Sequence, residues 1–194
     1  MIKPVVLYGH PILTETTIEV KENNEEVQQV ITDLLDTMIH IGALGLSAPQ
    51  INSNLSIFVI QSKTDTETVF INPKITKRAG VERTFCGEGC MSIPKIFGDV
   101  KHFSKITIEF QDRNFVKKTK TYKVFDAVVI THEYDHLFGK LFTDYIHVGE
   151  KRTIGEINID KLERIRKGEF DSWDKPKYDV ILADGTLVAA EVKP

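Results

Sequence analysis

With 194 residues, 41% of them hydrophobic and 27% charged, and a formal net charge of −3, the chain suits one globular domain with a substantial core; it carries no global basic field that would make nucleic acid its main partner. No apolar run approaches the length of a membrane span, and the opening MIKPVVL turns polar too soon for a secretory signal. Two cysteines and no export signal point to a reducing cytoplasm, where a thiol is a ligand or a core residue rather than half of a disulfide.

No repeat or low-complexity linker precedes about residue 168. Glu25 to Ile41 reads as an amphipathic helix, with Val27, Val30, Ile31, Leu34, Leu35, Met38 and Ile41 at the helical period. Asn23 and Asn24 are caps ahead of Glu25 and Glu26, which suit the positive helix start. A glycine-containing segment, Gly42 to Gln50, follows; taken alone it reads as a loop joining helix to strand. Ser56 to Ile60 and Val69 to Ile71 are β-rich runs. Lys105 to Phe110 alternates and meets the turn-like Gln111 to Asn114, with Thr119 to Lys123 as a returning strand.

Phe125 to Phe138 is the informative stretch. Its run Val128-Val129-Ile130-Thr131 favours a strand by propensity, yet Phe125, Val128, Val129, His132 and His136 recur at steps of three and four, the spacing of a helix face. Thr131 to His136 contains H-E-x-x-H, which on a helix stacks His132 over His136 with Glu133 beside them for proton transfer. On a strand the two histidines would sit about 13 Å apart, too far for one metal. The expectation is therefore a helix, stopped by Gly139 and driven by burial against propensity. Beyond Gly168 the chain is charged, and Asp184-Gly185 between β-prone runs suggests a hairpin. Together these elements predict an α+β fold: antiparallel or mixed β-sheets packed around a central helix carrying H-E-x-x-H, with an N-terminal amphipathic helix.

Two histidines need a third ligand. A longer protease-type repeat of the motif would require a histidine where Phe142 stands; Asp144 and His147 are further options for the third ligand, though at no recognised spacing. Upstream, Cys90 lies between glycines in Gly87 to Ser92, where backbone approaches closely and a thiolate suits Zn²⁺ or Fe²⁺. Cys86 reads as a small buried hydrophobe, with a rival reading in which Cys86, Cys90, His132 and His136 close a structural zinc site. In Gly45 to Gln50, the glycine permits close approach and the Gln50 amide can donate to developing negative charge.

The three motifs together resemble the peptide deformylase family. Its G-x-G-L-A-A-P-Q is approximated at residues 43–50, its E-G-C-L-S at 88–92, and its H-E-x-D-H is matched at 132–136, in the family's order and over roughly residues 1–165. The resemblance implies a deformylase-like metallohydrolase domain over 1–168, with 169–194 as a C-terminal tail. It implies removal of the formyl group from the N-terminal methionine of new polypeptides. Cys90, His132 and His136 would hold one divalent metal, Fe²⁺ in cells with Zn²⁺, Ni²⁺ or Co²⁺ as substitutes. Glu133 would be the general base and then acid. Gln50 and the Met91 N–H would form the oxyanion hole. The backbone of Leu44, Gly45 and Leu46 would line the peptide, and Phe125, Val128 and Val129, near Leu44, would form the methionine pocket. A ribosome contact is a further family expectation, for which Lys161, Arg164, Arg166 and Lys167 offer a basic cluster. Glu88 and Asp135 are candidates to orient ligands.

The chain departs from the family pattern at Ala43, where a required positive φ would strain a non-glycine residue or, if only close approach is needed, the methyl group would narrow the substrate channel, at Ser47, at Met91, and at His102, where the family often has an arginine that would face Glu88. These departures define one alternative, a deformylase-like protein of low activity; Cys86 and the incomplete protease spacing define another, a different zinc hydrolase or a structural zinc protein.

Overall fold

The computed structural model describes residues 1–62, 64–66, 68–146, 159–171 and 175–190. In chain order the elements are β1 (Val5–Val6), α1 (Glu25–Ile41), β2 (Gly45–Ser47), β3 (Ile57–Ile60), β4 (Val69–Cys90), β5 (Ile93–Gln111), β6 (Lys117–Lys123), α2 (Val124–His136), α3 (Ile159–Arg166), β7 (Val180–Ile181) and β8 (Leu187–Val188). A five-stranded antiparallel sheet runs in the order β2-β3-β4-β5-β6, and a small mixed sheet runs β1-β7-β8. The fold is α+β. No helix among the described residues is long and apolar enough to cross a membrane.

The apolar run of β3 is explained by what covers it. Ile57 and Val59 point into a core with Val27, Ile31, Leu34 and Met38 of α1. Phe58 and Ile60, on the opposite face, join Phe70, Phe110, Ala127 and Ile130 on the α2 side. A strand buried on both faces must be apolar at every position, so it shows no alternation. Phe70 stacks on Phe58 with ring centroids 4.6 Å apart and leans on Phe110 at 4.3 Å, tying β3, β4 and β5 together. Helix α1 begins where the Asn24 side chain accepts the Val27 N–H at 3.0 Å, satisfying a donor the first turn would otherwise leave unpaired.

The strand expected at Val69 to Ile71 continues to Cys90, 22 residues in all, and pairs with β5 as a long, bulged hairpin. Between Lys74 and Thr84 this strand is largely exposed, so it has no buried face to impress a period on the sequence. Its tip is a two-residue turn, Met91-Ser92, with Cys90 paired across to Ile93.

Helix α2 forms despite its β-branched run because Ala127 and Ile130 are fully buried against the five-stranded sheet. Thr131 returns its hydroxyl to the Ala127 carbonyl at 2.7 Å. The helix ends in a turn in which Gly139, at φ 66, donates to the His136 carbonyl and Lys140 to that of Asp135. The N-terminal segment straps this end: the Thr17 N–H donates to the Leu137 carbonyl at 2.9 Å. A methyl group at position 139 would collide with the backbone carbonyl of Thr14, which cannot swing aside as a side chain would. Gly139→Ala is therefore expected to lower stability by about 2 kcal/mol or more, combining left-handed strain with overpacking. A urea-denaturation midpoint measures it, and a loss below about 0.5 kcal/mol, the size of an ordinary surface change, would contradict this account.

Candidate metal centre

The tip of the β4–β5 hairpin reaches the last two turns of α2. There the ligand atoms of Cys90, His132 and His136 all lie within 4.8 Å of one another, and the Cys90 Sγ is 3.3 Å from His136 Nε2. Helical spacing explains the two rings, whose centroids are 5.0 Å apart, and hairpin register supplies the sulfur.

Glu88, two residues before the cysteine, bridges two imidazoles: its Oε1 is 2.6 Å from His132 Nδ1 and its Oε2 is 2.6 Å from His102 Nε2. Burial acts to raise its pKa, but the two histidine hydrogen bonds outweigh that and bring it down to about 2. An ionised carboxylate only accepts, so His132 carries its proton on Nδ1 and leaves Nε2 for the triad. His102 thus makes the contact with Glu88 that the resemblance assigns to an arginine.

The protonation pattern suits a cation. Burial and the neighbouring His132 push His136 well below the ordinary imidazole value, leaving it neutral. Burial opposes charge on His132 too, but Cys90, Glu88 and Glu133 raise it well above that value. A cation that takes the triad displaces this proton, the usual linkage of metal binding to proton release. Beside the triad Glu133 is buried, its Oε2 without a hydrogen-bond partner, and burial raises its pKa to about 7. Gly45 makes room for it: a β-carbon there would lie 2.6 Å from Glu133 Oε1. Thiolate, two imidazoles and an unpartnered carboxylate are a donor set that fits one metal ion with a proton carrier beside it.

Gln50 is likewise oriented. Its Oε1 accepts the Ser47 N–H and hydroxyl, both at 2.9 Å, which turns its Nε2 toward Cys90 Sγ at 3.4 Å and Ser92 Oγ at 3.3 Å. Ser47 therefore fixes the amide rather than merely filling a small-residue slot. The cluster opens into a cleft of about 670 Å³ whose walls include Leu44, Gly45, Gln50, Met91, Phe125, Val128, Val129 and Glu133. Leu46 is not among them; it is fully buried in the core beneath α1.

Several expectations are corrected. Cys86 is exposed at the cleft rim rather than buried, and stands outside the ligand cluster, which removes the observation behind a closed four-ligand site. Ala43 has no positive φ; the left-handed residue is Gly42, at φ 68, so the expected strain does not arise. Asp144 accepts the Leu141 N–H and stands outside the ligand cluster, while Phe142, where a third histidine would have been needed, stacks on His132 with ring centroids 6.2 Å apart; His147 lies outside the described residues. Asp135 hydrogen-bonds Tyr145 and lines a separate cavity that touches none of the three ligands. The basic cluster is partly committed: Arg166 and Lys167 pair with Glu163, Arg164 with Asp171, and the Lys161 ammonium donates to the Lys95 carbonyl.

Sequence reasoning missed the cleft's other wall, Ile96 and Phe97 of β5 and Lys175 to Tyr178 of the tail. Phe97 was signalled only by Gly89, where a β-carbon would lie 2.7 Å from its ring. Nothing in the local sequence marks Tyr178, whose hydroxyl donates to the Met91 carbonyl at 2.7 Å.

Residues 2–152 match the family model described as polypeptide deformylase. A peptide deformylase of Christiangramia forsetii is 36% identical, over 92% of this chain and 96% of that protein. One of Flavobacterium psychrophilum is also 36% identical, over 87% and 93%. The crystal structure of a peptide deformylase from Legionella pneumophila superposes with a TM-score of 0.76 at 31% identity, covering 87% of this chain and 98% of that one. The ligand set is separable by substitution. Cys90→Ser is expected to lose stoichiometric metal and Cys86→Ser to keep it, as read by elemental analysis after dialysis; equal losses would restore the four-ligand alternative.

Proposed function

The chain belongs to the peptide deformylase family and is a metal-dependent deformylase, and on that premise we propose the residue roles and the metal that follow. The observation that carries them is the convergence of Cys90, His132 and His136 within 4.8 Å beside the buried, unpartnered Glu133. Helix α2 is in this reading the central helix of the fold, and α1 its amphipathic outer companion.

Cys90, His132 and His136 would hold one divalent ion, Fe²⁺ in the cell, with Zn²⁺, Ni²⁺ and Co²⁺ accommodated by the same donors. When bound, the ion supplies Lewis-acid polarisation and a nucleophilic water near neutral pH. The remaining work falls to the protein. Leu44 and Gly45 lie along the substrate backbone, with Leu46 holding their strand in the core. Phe125, Val128 and Val129 offer an apolar wall to the unbranched methionine side chain. Glu133, with a pKa of about 7, takes a proton from the attacking water and passes it to the leaving amine. The Gln50 amide and the Met91 N–H donate to the oxygen that gains charge on the formyl carbon. Formate and a free α-amine result. The low-activity alternative loses its strain motive at Ala43 and its missing partner at His102, which makes the contact with Glu88; it keeps only the Ala43 methyl group, which lines the cleft and would narrow the channel.

We place the protein in the cytoplasm, where new polypeptides carry the formyl group. A ribosome contact through Lys161, Arg164, Arg166 and Lys167 would be weak and salt-sensitive, because three of the four already face carboxylates. Cosedimentation with ribosomes should fall between low and physiological salt; no cosedimentation at low salt would remove the contact. Reduced, anaerobic, metal-loaded protein is expected to release formate from a formyl-methionyl peptide, and none released would reject the functional reading. Glu133→Gln should lower kcat by at least about 100-fold with metal retained. Gln50→Ala should cost roughly 100- to 1,000-fold, the size of one lost oxyanion donor.

A further inference from the structure

The turn that carries Met91 is gripped from two neighbouring strands of the small sheet. Two residues after β1, the Tyr8 N–H donates to the Ser92 carbonyl at 2.9 Å. Two residues before β7, the Tyr178 hydroxyl donates to the Met91 carbonyl at 2.7 Å. The strands holding these groups are themselves paired in parallel, Val5 with Val180 and Val6 with Ile181. Hydrogen bonds of 2.8 Å from the Val5 N–H to the Asp179 carbonyl and from the Leu7 N–H to the Ile181 carbonyl lock that pairing. Val180 is 1% exposed, in one core with Leu7, Cys90 and Ile93. Tyr178 thus stands two residues before an anchored strand, and it also lines the cleft.

From this we infer that Tyr178 is a positioning residue: by holding the Met91 carbonyl it fixes the peptide plane between Met91 and Ser92 and so restricts the rotation about Met91 through which its N–H could turn away from the reacting group. The hydroxyl's hydrogen bond goes to the backbone of Met91, and it acts through that residue. Burial raises the phenol's pKa above its ordinary value, so the group stays a donor throughout the neutral range. A donor fixed on one side of a residue limits rotation of the whole residue, and small misalignments of a group that meets developing charge cost large factors in rate.

The inference rests on the oxyanion role proposed for the Met91 N–H, and its test separates the two. Tyr178→Phe keeps the ring and removes the one donor. It is expected to lower kcat on a formyl-methionyl peptide roughly tenfold with KM nearly unchanged, while metal content and melting temperature stay close to wild type. Independently of turnover, the Met91 amide is expected to exchange its hydrogen faster and to shift in a ¹⁵N–¹H spectrum of the Phe variant. If wild-type protein releases no formate, the functional reading fails, and the Met91 amide alone decides the role of Tyr178. An unchanged kcat together with an unchanged Met91 amide overturns the inference. So does a kcat loss matched by loss of metal, or a pair in which Tyr178→Phe is silent and Tyr178→Ala raises only KM, which would make the residue a wall.

Discussion

One carboxylate holds this site together. Glu88 comes from β4, His102 from β5 and His132 from α2, and the two 2.6 Å contacts join all three elements at the floor of the cleft. A buried carboxylate is costly to ionise unless donors surround it, and here both oxygens are answered by imidazoles. The arrangement has two effects at once. It stabilises the approach of hairpin tip to helix, and it forces the His132 proton onto Nδ1, so that the other nitrogen faces Cys90. The ligand geometry is therefore a by-product of satisfying one buried charge.

A second constraint is distance. Helix α2 lies so close to β2 that Glu133 occupies the space a side chain at position 45 would take. That proximity buries the carboxylate, and burial raises its pKa to about 7. Packing, protonation and proton transfer form one chain of cause here: the glycine admits the carboxylate, the helix shields it, and shielding tunes it.

What was legible in the sequence was whatever repeats or is spaced by geometry. The two histidines and Glu133 were readable because four residues make about one helical turn. Gln50 and Cys90 were readable as chemistry, though only the fold brings them to 3.4 Å. The strand β3 announced itself by an unbroken apolar run. The exposed reach of β4 did not, because a strand lacking a buried face has no pattern to display. Cys86 looked like a core residue because an isolated thiol usually is one; only hairpin register puts it at the rim. Tyr178 was invisible for a different reason: its partner is a backbone carbonyl 87 residues away, and a carbonyl has no residue identity to search for.

The parallel pairing of Val5–Val6 with Val180–Ile181 joins stretches far apart in the chain. Synthesis runs from the amino end, so until Val180 and Ile181 are made β1 lacks the strand it pairs with. A contact of such long sequence separation is among the slowest to form. The helix, the hairpin and the cysteine all emerge earlier. The maturation of a newborn molecule thus has a built-in delay: Tyr8 can reach Ser92 early, but the grip of Tyr178 on Met91 closes only after the segment leading into β7 has been made.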